Sequence, residues 1–158
     1  MNAAGSGTQR HQGTKRVNEI YLHALKLLRA RDYTVVKLSE KLEAKFGSAP
    51  QEVIDELVRR QFLNDRRFAE NYVANRKNRG VPLLREQLLT RGVSSALTDE
   101  VLSQTDWPSL KDALTAKLKD WELRLPLQSR DGARLFRALL RLGYDEESIR
   151  EEINHLHE

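Results

Sequence analysis

Residues 64 to 80, NDRRFAENYVANRKNRG, set Arg66, Arg67, Arg76, Lys77 and Arg79 against only Asp65 and Glu70, interleaved with Phe68 and Tyr72. Guanidinium groups stay charged and bind phosphates and carboxylates through paired hydrogen bonds, so a segment of this kind suits an anionic partner. The basic character continues through Arg85 and Arg91. Between Leu57 and Gly92 nine Arg or Lys stand against three acids, a local charge of +6; from Asp131 to Glu158 four basic residues face seven acids, a local charge of −3. A solvated helix face is the other reading of such a run, and composition alone leaves both open.

Catalytic chemistry finds little footing elsewhere. The chain has no cysteine, hence no disulfide, thiolate zinc site or cysteine nucleophile. Its histidines are His11, His23, His155 and His157. The last two are two residues apart, unlike the i, i+4 pair that shares a metal on a helix. Asp145, Glu146 and Glu147 fall at an expected helix N-terminus, where the backbone dipole favours negative charge without any catalytic role. GTQRHQGTK lacks the spacing of a phosphate-binding loop. No enzyme, metal or cofactor is expected. No run approaches the roughly 20 apolar residues of a membrane span, and the N-terminus lacks the apolar core of a secretory signal, so the expected setting is the cytoplasm.

The elements that must position the basic segment are helices. Apolar residues make 39% of the 158-residue chain and recur at helical spacing, as in Ile20, Ala24, Leu27 and Leu28, or Val53, Ile54, Leu57 and Val58. The simplest role of these stripes is core. Asn64 or Asp65 can cap a helix carrying Phe68, Tyr72, Val73 and Arg76 that stops near Gly80. Thr98 or Asp99 is expected to begin a helix around Val101 and Leu102. Leu110, Leu114, Leu118, Trp121 and Leu125 form a stripe ended by Pro126. Residues 1–16 show no apolar period and are expected to be a disordered arm.

Three stretches repeat. Leucines four apart (Leu38 and Leu42, Leu84 and Leu88, Leu135 and Leu139) are each followed by a glycine beside a large apolar residue (Phe46 and Gly47, Gly92 and Val93, Gly143 and Tyr144), then by a second apolar helix. Another helix precedes each pair. The expected fold is all-α, with three tandem three-helix repeats over 17–62, 63–106 and 107–158 in an elongated, curved array. Phe68 and Tyr72 then point mainly to the core, while the Tyr72 hydroxyl can reach the rim. A monomer is expected, since no heptad seam is visible.

LNDRRFAENYVANR, the following RG, LLREQLLTRGV and RLFRALLRLGYDEESI together resemble the RecX family, regulators of the RecA recombinase, over about Val17 to Leu156. Leu63, Asp65, Arg67, Phe68, Ala69, Tyr72, Val73 and Arg76 stand at the family's usual motif positions. Departures are Lys45-Phe46-Gly47, where Lys-Gly-Phe is common; Lys37, where an acid would complete a capping box after Thr34; and Asn64, in place of a frequent acid. The resemblance implies a non-enzymatic protein that binds RecA and the RecA–single-stranded-DNA filament. It would limit filament growth or promote disassembly, lowering recombinase, ATPase and co-protease activity and so modulating DNA repair and the SOS response. Arg66, Arg67, Arg76, Lys77, Arg79, Arg85 and Arg91 would supply the electrostatic contact, with room for a weak direct contact to DNA. Leu63, Asp65, Phe68, Ala69, Tyr72 and Val73 would act mainly in structure. Two alternatives are a DNA-binding helical module acting alone and a scaffold for some other acidic protein, although no helix carries a base-reading set of side chains.

Overall fold

The structure, a computed structural model, describes residues 6–158, with side chains from residue 13 onward. Among the described residues there are nine α-helices, one short 3₁₀ turn and no strand. In order they are α1 (Ser6–Ala30), α2 (Val35–Phe46), α3 (Gln51–Arg59), α4 (Asp65–Ala74), the 3₁₀ turn (Lys77–Arg79), α5 (Val81–Thr90), α6 (Ser95–Gln104), α7 (Leu110–Asp120), α8 (Ser129–Arg141) and α9 (Glu146–His157).

The chain forms two compact units. One comprises the residues up to Asn71 with Leu88–Thr98; the other comprises Tyr72–Gln87 with Asp99–Glu158. The helices of the middle stretch are therefore divided between them. In the first unit Ile20, Ala24, Leu38, Leu42, Val53, Ile54, Leu57 and Leu63 form one buried cluster. In the second, Ala113, Leu114, Leu127, Leu135, Leu139, Ile149 and Ile153 do the same, flanked by Trp121, Phe136 and Tyr144. Each fully buried Leu or Ile contributes roughly 1.5–3 kcal/mol over its exposed state.

The glycines of the repeated breaks are left-handed caps. Gly47, Gly92 and Gly143 have φ of 78°, 89° and 96°. After α5, Gly92 N–H donates to Leu89 O and Val93 N–H to Leu88 O; after α8, Gly143 N–H donates to Leu140 O and Tyr144 N–H to Leu139 O. This paired pattern is the Schellman end, in which a left-handed residue returns orphan carbonyls to hydrogen bonding.

Four expected boundaries moved. The helix containing Tyr72 stops at Ala74, not near Gly80; Arg76 at φ −137°, ψ 28° breaks it, and the chain tightens into the Lys77–Arg79 turn. Helix α7 ends at Asp120 instead of running to Pro126, because Glu122 takes φ 52° and Leu123 N–H closes on Leu118 O. Here a non-glycine residue adopts the terminating conformation, and Leu125 is left exposed. Helix α6 begins at Ser95, with the Ser94 hydroxyl accepting from Leu97 N–H at 3.2 Å, while Thr98 is buried inside it. Helix α1 reaches back to Ser6, so residues 6–16 are helix where an arm was expected; extending a nucleated helix costs far less than starting one. Residues 1–5 of that arm lie outside the described residues.

The start of α2 shows how the central motif serves structure. Thr34 caps it, accepting from Lys37 N–H at 3.2 Å and donating to Arg91 O at 2.5 Å. Lys37 cannot complete a capping box, but the Asp65 carboxylate accepts from Val35 N–H at 2.9 Å. Asn64 in turn caps α4, accepting from Arg67 N–H at 3.1 Å. Burial raises the Asp65 pKa, the Val35 N–H bond opposes the rise, and nearby Asp32 adds to it. An acid raised on folding takes up a proton, so its contribution to stability falls as pH climbs from the ordinary aspartate value through the folded one. Asp65→Asn keeps an acceptor and removes the charge. In urea denaturation it is expected to stay within about 0.5 kcal/mol of the parent and to lose that pH dependence, whereas Asp65→Ala loses about 1–2 kcal/mol.

Candidate interaction site

The basic residues singled out in the sequence do not stand as a bare charged row. Arg66, Arg67 and Arg91 belong to the first compact unit; Arg76, Lys77, Arg79 and Arg85 belong to the second.

In the first unit Arg67 Nη1 donates to Gln61 O at 2.7 Å and Nη2 to Phe62 O at 3.3 Å, clamping the loop after α3 to the first turn of α4. Gln61 sits at φ 62°, so this clamp supports a conformation that a side chain disfavours. Arg66 lies 4.0 Å from Glu70, one turn on. Arg91 lines a cavity of about 600 Å³ with Tyr33, Lys37, Lys41 and the partly buried Phe68.

In the second unit Tyr72, 5% exposed, is a hub. The Arg76 guanidinium lies 3.9 Å above its ring and donates to its backbone oxygen at 3.2 Å. The Tyr72 hydroxyl donates to Gln87 Oε1 at 3.0 Å, and Arg79 Nη1 donates to the same oxygen at 3.2 Å and to the hydroxyl at 3.5 Å. Tyr72 therefore holds two arginines, one over its face and one at its tip, with Gln87 as the shared acceptor. Lys77 Nζ donates to Asp106 O at 2.7 Å. Arg85 forks onto Asp99, with Nε and Nη2 donating to the two carboxylate oxygens at 2.8 and 3.4 Å. The hydrogen bond from Arg85 holds the Asp99 carboxyl below its ordinary range, and Asp99 raises Arg85.

The motif residues assigned to structure are buried as their types require: Leu63, Ala69, Tyr72 and Val73 all are, and Phe68 is partly so. Sequence alone missed the Tyr72–Gln87–Arg79 network. Gln87 lies fifteen residues from Tyr72, and only the turn between α4 and α5 brings them together.

The acidic tail also has the structural role expected of it. Asp145 caps α9, accepting from Ser148 N–H at 3.0 Å and Ser148 O–H at 2.9 Å, and these bonds lower its pKa. The stability it contributes is present above the unfolded aspartate value, about 3.9, and is lost as pH falls through the lower folded value. Asp145→Asn is expected to remove this acid-side loss, read by urea denaturation of parent and variant across acidic pH.

Among the described residues no cluster of His, Asp or Glu could hold a metal, and no helix is long and apolar enough to cross a membrane. The fold and site define an all-helical protein whose conspicuous feature is a set of ordered arginines on a buried aromatic support. No family model matches the chain. Regulatory protein RecX of Chromohalobacter salexigens is 34% identical over 139 residues, 84% of this chain and 89% of that protein. Regulatory protein RecX of Serratia proteamaculans is 29% identical over 162 residues, covering 84% and 95%. That of Trichlorobacter lovleyi is 37% identical over 98 residues, 59% of this chain and 64% of the relative. The crystal structure of RecX from Lactobacillus salivarius superposes with a TM-score of 0.72 at 18% identity, over 90% of this chain and 99% of that one, a likeness of fold. The chain belongs to the RecX family.

Proposed function

We propose that the protein is a regulator of the RecA recombinase that binds RecA and its filament on single-stranded DNA. It restrains the filament by blocking extension or promoting disassembly, so lowering ATP hydrolysis, strand exchange and co-protease activity. It acts as a monomer in the cytoplasm, without catalytic chemistry of its own, and its three-helix stretches serve as three repeats.

The observation that supports this reading is near full-length similarity to proteins named Regulatory protein RecX, carried through the motif from Leu63 to Arg76. The physical mechanism is electrostatic. Arg66, Arg67, Arg76, Lys77, Arg79, Arg85 and Arg91 meet acidic groups of the filament, and the Tyr72 network holds Arg76 and Arg79 in place before contact. Side chains ordered in advance lose less entropy on binding than free ones.

Replacing Arg66, Arg67, Lys77 and Arg79 together with alanine is expected to weaken filament binding by about tenfold or more. Circular dichroism of the variant should retain its helical signal. Undiminished inhibition of RecA by a folded variant would remove these residues from the mechanism.

A further inference from the structure

Two aromatic residues outside the motif border a space that the fold leaves unfilled. Trp107, in the loop between α6 and α7, donates its indole N–H to Leu102 O at 3.0 Å, and Tyr144, just after α8, donates its hydroxyl to Pro108 O at 2.5 Å. Both polar tips are thus engaged inside the protein, while both residues stay half-buried. The two side chains line a cavity of about 390 Å³ together with Val81, Leu142 and, from α7, Ala113 and Ala116. All six residues belong to the second compact unit.

Ala113 and Ala116 stand three apart, on one face of α7, and each brings only a methyl group to the cavity. Water against such apolar walls is favourably displaced by an apolar group. The charged residues lining the same cavity are two lysines, Lys77 and Lys117, against one acid, Asp120, a balance of +1. Lys77 Nζ donates to Asp106 O at 2.7 Å, and Lys117 Nζ lies 5.4 Å from the centre of the Trp121 ring. An ammonium group carries three donors, so the bond to Asp106 O leaves Lys77 able to make others. Both cations are placed before any ligand arrives, which lowers the entropic cost of binding one. An apolar cavity with a few convergent polar groups is the general form of a small-molecule site.

We propose that this cavity binds a small amphipathic monoanion, a flat apolar body carrying one carboxylate. The proposal goes beyond the RecA reading and does not depend on it. Trp107 and Tyr144 take the body, because aromatic side chains pack best against flat rings, stacked or edge to face. Lys77 and Lys117 take the carboxylate through charge-assisted hydrogen bonds. A single negative charge matches the balance of the lining, whereas a dianion would leave charge unmatched among apolar walls. The volume lies near the lower end of small-molecule pockets, about 300–1,000 Å³, which limits the ligand to about two rings.

The test is NMR of the nitrogen-labelled full chain titrated with 2-naphthoate. The chain holds two tryptophans, hence two indole N–H signals, and of the two only Trp107 lines the cavity. Its signal, assigned with Trp107→Phe, is expected to shift to saturation with a Kd of about 1 mM or tighter, as ordinary ligand efficiency gives for about thirteen non-hydrogen atoms. Uncharged 2-naphthylmethanol should bind about threefold to tenfold more weakly. Ala116→Leu places a good helix former at an exposed position and fills the cavity, and it is expected to weaken 2-naphthoate about tenfold or more while circular dichroism stays unchanged. Lys117→Gln, the second variant, should bring 2-naphthoate toward the affinity of the alcohol and leave the alcohol unaffected. The absence of a saturable Trp107 shift in the parent would overturn the proposal. So would equal affinity for acid and alcohol, or undiminished binding by a folded Ala116→Leu protein. Tighter competition by a capped tripeptide of tryptophan between two glutamates would overturn it as well, assigning the cavity to a side chain of a partner protein.

Discussion

Replacing Gly80 with alanine is expected to destabilise the protein by about 3–5 kcal/mol. Gly80 takes φ 86° and ψ 152°, a region of backbone space almost closed to residues with a side chain. A Cβ there would lie 2.5 Å from Arg141 O and 2.8 Å from Leu142 Cα, both backbone atoms that cannot swing away. Strain accounts for about 1–3 kcal/mol and overpacking for a similar amount. The expected urea curve shows a lower midpoint with an unchanged slope, as for loss of stability without a change in the exposed surface. Gly13→Ala is the control, since nothing lies within 4 Å of the added methyl and the residue sits in a helix. That variant should be neutral or stabilised by up to about 1 kcal/mol. A Gly80→Ala protein within about 1 kcal/mol of the parent would contradict the close approach of the Lys77–Arg79 turn to the end of α8.

Tyr72→Ala is expected to cost about 3–5 kcal/mol, as usual when a buried aromatic is removed. It would also release Arg76 from the ring and strip the hydroxyl from the network of Gln87 and Arg79. Tyr72→Phe separates these roles, because the ring and the Arg76 stack remain. It should cost about 1 kcal/mol, the net value of a typical hydrogen bond, and loosen Arg79 while leaving Arg76 in place. Side-chain guanidinium NMR reads the two arginines independently. Equal destabilisation by Phe and Ala would mean that the hydroxyl network, and not the buried ring, holds this part of the fold.

The helical class and the leucine cores were legible because they depend on local periodicity: Leu38, Leu42, Leu84, Leu88, Leu135 and Leu139 are all fully buried. The glycine breaks were legible for the same reason, since positive φ selects glycine. Helix ends without glycine were not. Glu122 ends α7 in a left-handed conformation that its residue type does not advertise, and Arg76 breaks the backbone after α4 while its side chain folds onto Tyr72.

The candidate site was legible in part. Arginine enrichment marked the segment, yet the partners of those arginines are long-range: Arg79 with Gln87, Arg85 with Asp99, Lys77 with Asp106. The exposed arginines of α8, Arg130, Arg134, Arg137 and Arg141, were hidden by linear charge counting. Seven acids between Asp131 and Glu158 cancel its arginines in a sum, although most of those acids belong to α9 and its cap, while the arginines share one face of another helix. Charge that cancels along a sequence need not cancel on a surface.

The central claim, that this protein restrains RecA, is tested most directly by the rate of single-strand-dependent ATP hydrolysis by RecA with sub-stoichiometric amounts of the protein added. Inhibition well below one copy per RecA is the predicted result, because each bound molecule would halt or shorten a whole filament. A hydrolysis rate unchanged even at equimolar protein would contradict it.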